Sequence, residues 1–99
     1  MSQEVRLLLE QVLRLSDSEL LTRLQLEKLF DGRGEVRIDL KELERKLLNR
    51  DVRWKEVGNI RYDLWNRLAK LVYDVAAARG YRCSRVHGVI ICWKRQEQR

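Results

Sequence analysis

Through much of this chain, apolar residues recur every three or four positions, the spacing that lines one face of an α-helix. Val5, Leu8, Leu9, Val12 and Leu15 form such a stripe and predict a first helix over residues 3–15. Ser16-Asp17-Ser18-Glu19 interrupts it with polar capping residues, Ser16 and Glu19 standing at capping-box spacing. A second helix is expected from Ser18 to about Phe30 through Leu20, Leu21, Leu24 and Leu29, so the first two elements form either a helical hairpin or one bent helix. Asp31-Gly32-Arg33-Gly34 has turn composition, and Glu35-Val36-Arg37-Ile38 alternates polar and apolar like a short half-buried strand. Asp39 then caps a third helix, with Glu42 at capping-box spacing and Leu40, Leu43, Leu47 and Leu48 as its buried face up to Asn49. Arg50 to Gly58 has no clear period and is expected to be a connecting loop or short irregular turn, with Trp54 at the core edge and Asn59 capping the helix that follows.

The strongest pattern comes last, in Arg61 to Arg95. Leu64, Leu68, Leu71, Val72 and Val75 repeat at helical spacing, while Asp63, Asn66, Arg67, Lys70 and Asp74 fall on the opposite side. This predicts a helix over residues 61–79 that buries one face and wets the other. Gly80 supplies the left-handed residue on which helices end, with Tyr81 placed to fold back on the last turn. Tyr81 to Ser84 and Val89 to Trp93 are rich in β-formers, and His87-Gly88 between them offers a tight turn at which Gly88 takes positive φ.

Ninety-nine residues with 44% hydrophobic content suffice for one domain with one core. The formal net charge of +6 is distributed unevenly. Residues 1–49 hold nine Lys/Arg against ten Asp/Glu and residues 50–99 hold twelve against five, so the whole excess lies in the C-terminal half. Positive charge concentrated on one part of a small domain is the electrostatic footprint of a polyanion binder, although a charged surface also serves solubility alone.

From Ser18 onward the order is helix, strand, helix, helix, strand, turn, strand. Over roughly 80 residues this order resembles the winged-helix domain, the helix-turn-helix variant in which three helices pack beside a small antiparallel sheet ending in a β-hairpin wing. The resemblance implies an α+β fold, with an extra N-terminal helix at 1–17, the winged-helix domain at 18–95 and a polar tail at 96–99. It also implies a double-stranded DNA-binding transcription regulator, with RNA as an alternative nucleic acid. In that family the third helix enters the major groove and the wing touches a neighbouring groove or phosphates. By position, Asn66, Arg67 and Lys70 would face the groove, Arg61 and Tyr62 would sit near the DNA backbone, and Arg82, Arg85, His87, Lys94 and Arg95 would line the wing. The residue types suit these roles, since Arg pairs with a guanine edge, Asn with adenine, and Lys or Arg neutralises phosphate. The other function open to the same fold is a protein-interaction adaptor.

Several further features bear on function. The leucines of the first helix cover more than one narrow face, which points to a homodimer contact through Val5, Leu8, Leu9 and Val12. A two-residue turn at His87-Gly88 pairs Val86 with Val89 and places Cys83 opposite Cys92, within reach of a disulfide. A reducing cytosol would instead keep them as two small buried thiols. Cys83, His87 and Cys92 lack the fourth ligand and the spacing that zinc prefers, so no metal and no cofactor is expected. Trp65, Trp93 and Tyr73 are read as core aromatics, with stacking on unpaired bases as the alternative. No P-loop, dinucleotide glycine pattern, nucleophile elbow or acid/base pair is present, so catalysis is not expected. No apolar run approaches the roughly 20 residues of a membrane span, and the N-terminus lacks a small-residue cleavage site. A cytoplasmic protein without a membrane partner is therefore expected.

Overall fold

A computed structural model of the protein describes residues 3–95, apart from the side chain of Trp54. The predicted polar tail at 96–99 and the placing of Trp54 at the core edge therefore lie outside the described residues. Six helices and three strands follow in the order α1 (Gln3–Leu13), α2 (Asp17–Leu24), α3 (Leu26–Leu29), β1 (Glu35–Asp39), α4 (Leu40–Leu48), α5 (Trp54–Val57), α6 (Ile60–Ala78), β2 (Tyr81–Val86) and β3 (Val89–Lys94). The strands form one antiparallel sheet in the order β1-β3-β2, an α+β layout compatible with a winged helix. Among the described residues no helix is long and apolar enough to cross a membrane.

The local signals act where sequence placed them. Ser16 caps α2, its hydroxyl oxygen accepting from the Glu19 backbone N–H at 3.1 Å, and Asp39 caps α4 by accepting from the Lys41 N–H at 2.9 Å. Gly80 ends α6 at φ 82°. Asn59, expected as the cap of α6, already has helical dihedrals (φ −69°, ψ −17°) and makes no side-chain cap. The second predicted helix is broken in two by Gln25, whose φ of 51° turns the chain so that Leu24 and Leu26 both reach the interior. The stretch read as a connecting loop or short irregular turn contains the single turn α5, anchored by buried Val52 and Val57.

The core gathers around α6, against which α1, α3, α4, α5 and β2 all pack. Leu64, Leu68, Leu71, Val72 and Val75 are buried as the period requires. So are Val5, Leu9 and Val12 of α1, with Leu8 half-buried against them. This corrects the expected dimer contact: those residues are spent inside the chain's own core against α4, α5 and α6, and α1 is part of the domain. Leu7, on the other side of α1, is the leucine left in solvent.

The two-residue turn sets the register of the hairpin, with Val86 opposite Val89 and Cys83 opposite Cys92. The two cysteine sulfurs are bonded at 2.01 Å, the pairing that this register brings within reach. Tyr81 packs against Phe30, ring centroids 5.1 Å apart, and its hydroxyl donates to the Arg33 carbonyl, so it closes the sheet onto α3. On the other edge β1 pairs along β3 up to Asp39 opposite Val89. The hairpin tip is thus level with the end of β1, and no wing projects past the sheet.

Candidate functional site

The residues expected to meet nucleic acid lie on α6 and the hairpin, and the structure divides them into those already engaged and those left in solvent. Arg61, expected beside the DNA backbone, is 5% exposed. Its Nε and Nη2 donate to the two carboxylate oxygens of Glu44 on α4, each at 2.9 Å, and Nη2 also donates to the Val52 carbonyl. The Trp65 indole N–H donates to the same carboxylate at 3.1 Å, and the Arg61 guanidinium carbon lies 5.4 Å from the centroid of the Trp65 ring. A buried carboxylate requires a charged, hydrogen-bonding partner, and Arg61 is drawn inward to supply one.

Arg67, expected to face the major groove, spans instead to the end of α1. Its Nη1 donates to the Leu13 carbonyl at 2.8 Å, and Nη2 donates to the Leu15 carbonyl and to Asp17. Helices end with carbonyls that lack an intrahelical partner, and a cation there satisfies them. Asn66 is exposed but engaged, its Oδ1 accepting from Arg85 Nη1 at 2.9 Å, while Arg85 Nε donates to the His87 carbonyl at 2.8 Å. These bonds tie the hairpin to α6.

The tip is held from two more directions. The Leu40 N–H donates to the Gly88 carbonyl at 2.8 Å. A Cβ placed on Gly88 would lie 2.9 Å from Cζ3 of Trp65, so Gly88 leaves room for the indole. The positive φ expected at Gly88 falls on His87, at 56°. Trp65 is accordingly half-buried beneath the turn.

Of the groove-facing set, Lys70 alone remains in solvent as a cation on the open face of α6, on which Tyr62 is also exposed. That face also presents Asp63 and Asp74, so one positive charge meets two negative ones, a poor match to phosphate. On the hairpin Arg82, His87, Lys94 and Arg95 are exposed, and the sequence from Val75 to Arg95 contains no acid. Among the described residues no group of three or more His, Cys, Asp or Glu side chains is placed to hold a metal ion.

Two features escaped sequence reasoning. Glu44 was legible in principle, because it stands on the same apolar stripe as Leu40 and Leu48, where an acid predicts a buried partner. The exposure of Trp93, at 45%, reverses the expectation of a core aromatic. Nothing local to Trp93 distinguishes the covered face of a sheet from the open one. Compared with known proteins, the chain matches no family model, no curated protein and no solved structure.

Proposed function

We propose that this domain binds nucleic acid, and that it does so through the C-terminal strands rather than through the third helix. The observation that carries this reading is the uncompensated charge of the hairpin. Arg82, Lys94 and Arg95 stand in solvent on a segment without an acid, whereas the cations of α6 are either engaged by protein or balanced by Asp63 and Asp74. Phosphate contacts draw on such exposed basic side chains and need no base recognition. A transcription-regulator role would follow from binding at defined sites on duplex DNA, for which Asn66 and Arg67 are no longer available as readers.

The test is a titration of random duplex DNA, single-stranded DNA and single-stranded RNA at several salt concentrations. About three phosphate contacts should give log-log salt slopes of roughly −2 to −3. Arg82→Gln should weaken binding and flatten the slope by roughly 0.7 to 0.9. Asn66→Ala should leave any preference between sequences unchanged. Absence of binding to all three polymers near 50 mM salt would overturn the proposal. The adaptor reading would then lead, favoured by the tip that Leu40 and Trp65 hold down and that therefore has no free wing to lay along a duplex.

A further inference from the structure

The sheet has one covered and one open face. Val36, Ile38, Tyr81, Ile90 and Cys92 are buried on the side that packs against the helices. The pairing register places the alternate residues in three rows across the other side: Glu35, Trp93 and Arg82, then Arg37, Ile91 and Ser84, then Asp39, Val89 and Val86. Trp93 at 45% and Val86 at 64% exposure are two of the four large apolar side chains in solvent among the described residues, and both belong to this face. A tryptophan left open in the central strand of a sheet is informative, because burying such a ring is among the larger gains open to a small core.

Its neighbours are cationic. Arg82 is directly opposite on β2, and Arg37 is diagonal to it on β1. Arg95 follows two residues on, which directs it to the same face. The Arg95 N–H donates to the Gly80 carbonyl at 2.8 Å, so the ladder holds it in register. Among the described residues Glu35 is the one acid beside the ring, and Asp39 at the far end is occupied in capping α4. Three arginines around one exposed indole outweigh that glutamate.

We propose that this face binds single-stranded nucleic acid, an unpaired base stacking on Trp93 while Arg82 and Arg95 hold the flanking phosphates and Arg37 the next along the strand. The inference rests on the nucleic-acid reading above and names its substrate. Duplex DNA fits the surface poorly, since its bases keep their π-faces inside the stack and the flat sheet carries no element that enters a groove. A single strand offers both the ring face and a backbone that follows the sheet. From Val89 to Trp93 the row runs about 13 Å, enough for about two or three extended nucleotides.

The test compares a twelve-base oligothymidylate with a random duplex of similar length, read by fluorescence anisotropy. The single strand should bind more tightly than the duplex. Trp93→Leu should weaken the single strand by roughly ten-fold or more and leave the duplex within about two-fold, and Trp93→Phe should recover most of the loss. Arg82→Gln, at an exposed position, provides a second variant and should flatten the single-strand salt slope by about 0.7. Tighter duplex binding, or single-strand affinity indifferent to Trp93→Leu, overturns this inference while leaving the domain a nucleic-acid binder. Failure of the unsubstituted protein to bind either of these or single-stranded RNA overturns both.

Discussion

Arg61 and Glu44 meet in the interior with two parallel hydrogen bonds of 2.9 Å, joining α6 to α4 across 17 residues of sequence. The carboxylate has a third donor in Trp65 and the guanidinium a third acceptor in the Val52 carbonyl, so each partner is held by more than the other. Removing either partner leaves the other charged and buried, which costs about 3–5 kcal/mol, most of it desolvation. Arg61→Ala or Glu44→Ala should each therefore bring the domain close to unfolding. The double variant should be less destabilised than the sum of the two, because neither charge is then left uncompensated. Urea melts of the four proteins give the coupling directly, and strict additivity would show that the two side chains do not pair.

Three residues within one turn of α6 should differ in their contributions. Leu68→Ala, which empties a fully buried site, should cost about 2–5 kcal/mol. Arg67→Ala should cost about 1–2 kcal/mol, because it strips the Leu13 and Leu15 carbonyls of their donor. Lys70→Ala should change stability by less than about 0.5 kcal/mol. If Arg67→Ala proves as mild as Lys70→Ala in the same melts, the arginine is free in solution and again a candidate for DNA.

Gly88→Ala should destabilise by about 1–3 kcal/mol, the cost of forcing a methyl group against an indole that Glu44 holds in place. Gly34→Ala is the control, since a Cβ there meets nothing within 4 Å. Near-ultraviolet circular dichroism should report the displaced Trp65 in the first variant and no change in the second. An unaltered tryptophan band in Gly88→Ala would mean that the tip does not rest on the ring.

The Cys83–Cys92 bond closes a hairpin of sequence separation 9. By the chain-entropy account such a cross-link is worth about 2–3 kcal/mol, so adding a reductant should lower the urea midpoint accordingly. The Cys83→Ala/Cys92→Ala double variant should be insensitive to reductant. A midpoint for the unsubstituted protein that ignores reductant would show that the thiols remain separate.

Features governed by near neighbours were legible in the sequence. The three-to-four-residue period named the buried face of α6, because a helix presents the same face every turn whatever lies beside it. Ser16 and Asp39 announced their caps, since the N–H groups they accept from are two or three residues away. Once His87-Gly88 was taken as the turn, counting along two antiparallel strands was enough to place Cys83 opposite Cys92. The fate of the charges and of the surplus apolar residues was different, because it depends on partners distant in sequence. Arg67 looks like a groove-facing cation until the unpartnered carbonyls at the end of α1 and Asp17 at the start of α2, 50 residues or more earlier, come to lie beneath it. Arg61 looks like a surface arginine until Glu44 is carried into the core on a leucine stripe. The leucines of α1 suggest a dimer seam until α4, α5 and α6 close over them. Trp93 alternates with Cys92 along β3, and only the docking of the helices on one side of the sheet decides which of the two is buried. Burial and ion pairing are properties of the assembled surfaces, so tertiary structure alone could sort this chain's cations and aromatics into those that hold the fold and those left to meet a ligand.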